Sequence, residues 1–142
     1  MKTIGIFFFS CLLLFNGCSD TEQQVPAEYT DKVRPAAEGG TTAAYFTVEN
    51  EYSESDTIIS IGSDVSSTTQ MHETYKTNDG MMGMREQKQI AVPPAGSIKF
   101  QQGGLHVMLI DLQQELAIGD TVTLEIQWIS GKTKQKTLPV YP

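Results

Sequence analysis

Cysteine is nearly absent from this chain: there are two in 142 residues, Cys11 and Cys18, both near the start. Nothing after Cys18 carries a thiol, so that part can build neither a disulfide nor a thiolate metal site. Positive charge is also scarce, with 10 Lys and Arg against 17 Asp and Glu and a formal net charge of -7. Nucleic-acid binding, which needs a basic face for phosphates, is thereby excluded. No polybasic segment is present to hold anionic lipid. The longest apolar run, Ile4 to Phe15, is too short to cross a bilayer as a helix. No second histidine follows the His72-Glu73 pair four residues on, so the metalloprotease pattern fails. No nucleophile motif of a hydrolase is found either. Without a positioned acid, base or nucleophile, the sequence does not read as an enzyme.

What is present begins with a targeting segment. Lys2 supplies a positive charge ahead of the Ile4–Phe15 run. Asn16-Gly17-Cys18 follows, then polar Ser19-Asp20-Thr21-Glu22. A small residue before cysteine at the end of such a run resembles a bacterial lipoprotein cleavage site, although Phe15 and Asn16 depart from its usual residues. The alternative is an ordinary secretory signal that contains a cysteine. The lipoprotein pattern implies a signal peptide over residues 1–17, a lipidated Cys18 and a polar tether over 18–30. One domain over 31–142 would then be anchored to a membrane of the cell envelope, facing the periplasm or extracytoplasmic space.

From Lys32 onward the pattern is one of strands and turns. Thr41 to Glu49 is rich in β-branched and aromatic residues. Further stretches run over Thr57–Ile61, Thr68–Tyr75, Gln89–Val92, Ser97–Gln101, Leu105–Leu112, Thr121–Trp128 and Lys134–Val140. Thr77-Asn78-Asp79-Gly80, Pro93-Pro94-Ala95-Gly96 and Gly103-Gly104 are turn signals between them. Val122, Leu124, Ile126 and Trp128 alternate with polar residues, giving one core face and one wet face. About eight short strands with no room for helix predict an all-β antiparallel sandwich or barrel.

Chemistry concentrates in one window. Both histidines, His72 and His106, and every methionine after Met1 (Met71, Met81, Met82, Met84 and Met108) lie between residues 71 and 108. Side chains alternate along a strand, so in Leu105-His106-Val107-Met108-Leu109 the imidazole and thioether share a face, about 7 Å apart along the backbone. His72 lies on another strand and Met84 just beyond the Asn-Asp-Gly turn. Together they supply two nitrogens and two soft, uncharged sulfurs, a donor set that favours Cu(I) over hard cations and over Zn²⁺. A blue-copper electron-transfer site would need a Cys thiolate, which this part of the chain lacks. Met71 faces away from His72 and reads as core, and Met81 is a candidate for the same role.

Met84, 21 intervening residues and His106-Val107-Met108, with His72 twelve positions before Met84, resemble the His…Met-x21-His-x-Met signature of the periplasmic copper chaperones called PCu(A)C. Ala43 to Asn50, His72-Glu73-Thr74, Pro94-Ala95-Gly96 and Gly103 to Leu109 also look like that family. The resemblance implies a cupredoxin-like sandwich. It further implies one Cu(I) held by His72, Met84, His106 and Met108, and delivery of copper to a recipient such as the CuA centre in subunit II of cytochrome c oxidase. Two departures stand out. The His72–Met84 segment is about one residue longer than the common form, which leaves Met82 as an alternative to Met84. Lys32-Val33 replaces an aromatic residue near the domain start.

Two other functions fit the same residues. A lipid-anchored interaction module would use the methionines as an apolar contact surface. A copper storage or buffering protein would use Met81 and Met82 as extra ligands.

Overall fold

The computed structural model describes residues 30–142; the signal peptide, Cys18 and nearly all of the tether expected from the sequence lie outside them. The described residues form ten strands and no helix. They are β1 (Lys32–Val33), β2 (Thr41–Glu49), β3 (Asp56–Ser63), β4 (Ser66–Lys76), β5 (Met82–Glu86), β6 (Ile90–Val92), β7 (Ser97–Phe100), β8 (Leu105–Leu112), β9 (Thr121–Trp128) and β10 (Thr133–Pro139). One sheet has the order β1-β2-β8-β4-β5, with β7 pairing β2, and the other has the order β10-β9-β3-β6. All strand pairs are antiparallel.

The all-β expectation holds, with ten strands in place of about eight. The additional two are β1 and β5. Neither carries an alternating apolar pattern, and β5 (Met-Gly-Met-Arg-Glu) has no buried residue. Such a segment becomes a strand by pairing with β4, not by its own propensity.

Alternation decides the core. In β9, Val122, Leu124, Ile126 and Trp128 are buried and their neighbours exposed. In β2, Ala44, Phe46 and Val48 point inward, and in β8 so do Val107 and Leu109. Phe46 and Phe100, directly paired across β2 and β7, stack with ring centroids 4.9 Å apart. Met71 is buried in this core, as its side of β4 requires, whereas Met81 is exposed and does not pack there.

The β4–β5 hairpin has its own local logic. Gly80 takes φ +85°, which an L side chain rarely adopts, and its N–H bonds the Thr77 carbonyl at 2.9 Å. The Thr77 hydroxyl accepts from Met81 N–H at 3.0 Å, closing the turn. On the hairpin face away from the histidines, the Tyr75 ring lies so close to Gly83 that a Cβ there would come within 2.6 Å of it. Arg85 pairs with Glu73 at 2.8 Å beside that ring.

Candidate metal centre

Directly paired residues of an antiparallel sheet share a face. His72 pairs with His106, and Gln70 with Met108. Across the hairpin, Thr74 pairs with Met84, Lys76 with Met82 and His72 with Glu86. All five sequence-predicted His and Met candidates therefore stand on the outer face of the larger sheet. Their distances from one another are unequal. The His72 and His106 rings have centroids 5.9 Å apart, tilted by 59°. Met108 is half-buried beside them, diagonal to His72. Met84 lies one strand and two residues from His72 on the other side, and Met82 two residues farther out. Both of these are exposed. On a flat sheet the Cα atoms of Met84 and Met108 would stand roughly 16 Å apart, from strand spacing and rise. Twist, or curling of the edge hairpin, has to shorten that span before both sulfurs reach one ion.

The imidazoles are held in defined tautomers. His106 is buried, and its Nδ1–H donates to the Gly104 carbonyl at 3.0 Å; the lone pair is then on Nε2. For His72 the arrangement is reversed. Its Nε2–H donates to Gln70 Oε1 at 3.0 Å, which leaves the lone pair on Nδ1. That Nδ1 is buried and has no hydrogen-bond partner. A buried polar atom without a partner is costly, and a metal-binding histidine commonly gives its other nitrogen to such an outer acceptor.

These donors fit a soft cation. With metal–nitrogen bonds of about 2 Å, two imidazoles sharing an ion have centroids within about 6 Å, and the observed spacing meets that limit. Among the described residues no group of three His, Cys, Asp or Glu side chains could hold a metal ion. The thioethers of Met108 and Met84 stand on the same face as the histidine pair, and thioethers select soft ions.

Burial of the His72 ring holds its pKa below the ordinary 6.5; His106 pushes the same way and the Glu86 carboxylate pulls back upward. The neutral form, with its lone pair free, is thus the resting form at neutral pH. Because the folded pKa lies below the unfolded value, the His72 contribution to stability is complete above about pH 6.5. It is lost as pH falls through the folded value. Thermal unfolding should be level from pH 8 to 7 and decline below pH 6.5, with a shallower decline in His72→Gln. An identical pH profile for that variant would refute this assignment.

Gln70 and Glu86 are not among the candidates that the sequence offers, and Gly104 enters there as a turn residue. Gln70 was within reach, since it stands two residues before His72 on one strand face. Glu86 required the hairpin register, and the Gly104 carbonyl required the actual turn.

The model of a family described as "Putative lipoprotein LpqE-like" matches residues 24–140. A protein of Leifsonia xyli subsp. xyli, "Putative lipoprotein Lxx21020", is 32% identical over 139 residues, covering 91% of this chain and 83% of its own. Among solved structures, the apo PCuAC domain from PmoF1 superposes with a TM-score of 0.64 at 17% identity, over 79% of this chain and 89% of that one. The copper-bound PCuAC domain from PmoF2 gives 0.61 at 19% identity, over 78% and 87%. The solution structure of CuI-DR1885 from Deinococcus radiodurans gives 0.58 at 24% identity, over 87% and 84%. At these identities the structural likeness establishes a shared fold. The match to residues 24–140, together with the Leifsonia relative, shows that this chain belongs to the LpqE-like lipoprotein family, folded as a PCuAC-type β-sandwich.

Proposed function

We propose that this protein is a lipid-anchored, extracytoplasmic copper carrier and not an enzyme. It would bind one Cu(I) through His72 Nδ1, His106 Nε2, Met108 and Met84 and pass it to a recipient, of which the CuA centre of cytochrome c oxidase is one candidate. The observation that carries this reading is the registered histidine pair, with rings 5.9 Å apart and a buried Nδ1 that has no partner. Copper-bound relatives of the same fold support it, and the family's lipoprotein name supports the anchor through Cys18. Four neutral ligands, one of them on an exposed edge strand, suit an ion that must be surrendered; thiolates would hold it.

Anaerobic titration of the chain with Cu(I) against a chromogenic chelator tests this. One Cu(I) per chain, with mixed nitrogen and sulfur ligands by X-ray absorption, is the expected result. No binding in that competition would sink the carrier reading. The exposure of Met81 and Met82 keeps a buffering role as the second reading, which requires more than one Cu(I) per chain.

Two further outcomes are expected. Gln70→Leu removes the acceptor that fixes the His72 tautomer, and loss of such outer partners typically costs 10- to 100-fold in metal affinity. Cu(I) affinity should fall by about that factor, and nitrogen NMR should show His72 redistributing between tautomers. An unchanged tautomer would refute the role given to Gln70. Binding should also slow amide exchange in β5, because Met84 has to be drawn toward the histidines; unchanged exchange there would favour a site lacking Met84.

A further inference from the structure

On the outer face of the larger sheet, the histidine pair is part of a longer row. Lys32 pairs with Tyr45. Tyr45 lies level with His106, because Ala44 pairs with Val107; His106 in turn faces His72. Arg34, on the same side as Lys32, donates its backbone N–H to the carbonyl of Ala43, the partner of Met108. Lys99 pairs with Thr47, the next residue outward on that face of β2. Three cations thus stand on the side of the sheet that carries His72, His106 and Met108. Lys32 and Arg34 are two strands from β8, roughly 10 Å away. Lys32, Arg34, Tyr45 and Lys99 line one open cleft.

This cluster runs against the chain's composition. With a net charge of -7, carboxylates are available to neutralise every cation. Arg85, Lys88, Lys132, Lys134 and Lys136 are each paired with one; Lys76, at the far end of β4, is in no ion pair among the described residues. Arg34 and Lys99 are exposed and neither takes part in any ion pair among the described residues. Lys32 meets the Pro142 carbonyl. The acids nearby are Asp31, which is engaged by Lys136, and Glu49 at the far end of β2. Cations gathered around one cleft repel one another, and an anionic surface approaching them would relieve that repulsion.

We propose that this cationic face docks an acidic protein surface belonging to the partner that exchanges copper with this chain. The inference rests on the carrier reading above. An acidic partner would otherwise be repelled by a chain of this charge. The patch lies about one Debye length from the histidines, close enough to orient the partner's own ligands over His106 and Met108. Attraction of this kind raises encounter rates by 10- to 1,000-fold at low salt. A membrane is a poorer occupant, since pressing this face onto headgroups would cover both histidines and Met108.

The test uses two synthetic acceptor peptides with the same three-methionine Cu(I) site, one flanked by glutamates and one by lysines. Stopped-flow transfer from the Cu(I)-loaded protein should be roughly tenfold faster to the acidic peptide at low ionic strength, and the difference should vanish in high salt. Arg34→Gln/Lys99→Gln should lose the preference and Arg34→Glu/Lys99→Glu should invert it, with equilibrium Cu(I) affinity unchanged in both. Equal rates in the wild-type protein would overturn the docking face and leave the carrier reading standing. Failure of the wild-type protein to load Cu(I) would overturn both. If the variants keep the peptide preference but the unlipidated Cys18→Ser chain loses binding to phosphatidylglycerol vesicles when they are introduced, the patch serves a membrane and the proposal falls.

Discussion

Replacing His106 and Met108 together with alanine is expected to abolish Cu(I) binding, and His106→Ala alone to weaken it by more than about 100-fold. The scale follows from the outer shell: losing a partner that merely orients a ligand already costs 10- to 100-fold, so losing the ligand should cost more. His106 is the stronger single choice because it is the buried member of the pair and its tautomer is fixed by the Gly104 carbonyl. Removing it strands His72 as a lone imidazole on the sheet face. Met108→Ala deletes the sulfur that sits beside the pair on the same strand. Circular dichroism and urea denaturation would be run alongside, because emptying a buried position also costs stability. A folded double variant that retains wild-type affinity would refute the ligand assignment. In that case the histidines and methionines are packing and contact surface.

The second large effect is on the fold. Phe46→Ala should destabilise the domain by about 3–5 kcal/mol, which lowers the urea midpoint by about 1 M or more. Phe46 is buried on the inner face of β2 and stacked on Phe100. The substitution therefore removes a large apolar side chain, leaves a cavity and breaks an aromatic pair worth up to about 1.5 kcal/mol beyond its burial. Domains of this size are typically stable by only about 5–15 kcal/mol, and no cysteine after Cys18 is available for a disulfide to add to that. The loss also bears on the proposed site, since β2 is the strand to which β1, β7 and β8 all pair. A milder Phe46→Leu change should cost less than about 1.5 kcal/mol, provided the neighbours repack. Equal loss in the two variants would mean that the Phe46–Phe100 stack, and not the filled volume, is what matters.

The sequence by itself determined whatever depends on near neighbours in the chain. Alternation in Thr121–Trp128 specified a strand with one buried face, β-branched and aromatic residues made a strand of Thr41–Glu49, and the frequent turn signals left no room for helix. Placing His106 and Met108 on one face needed only the two-residue period of a strand. Their chemistry, soft and uncharged, followed from residue type. Tertiary structure alone decided the rest, because register between strands is set by burial and pairing over the whole sheet. That pairing brings His72 opposite His106 across 34 positions of sequence and makes a strand of the pattern-poor segment Met82–Glu86. It also moves Met84 and Met108 to opposite sides of the histidine pair. Which nitrogen of each histidine keeps its lone pair is set by Gln70 and the Gly104 carbonyl, one a side chain and the other a backbone atom whose positions no local pattern specifies. The same holds for Lys32, Arg34 and Lys99. Scattered through a chain poor in cations, they become one surface once β1, β2 and β7 are laid side by side.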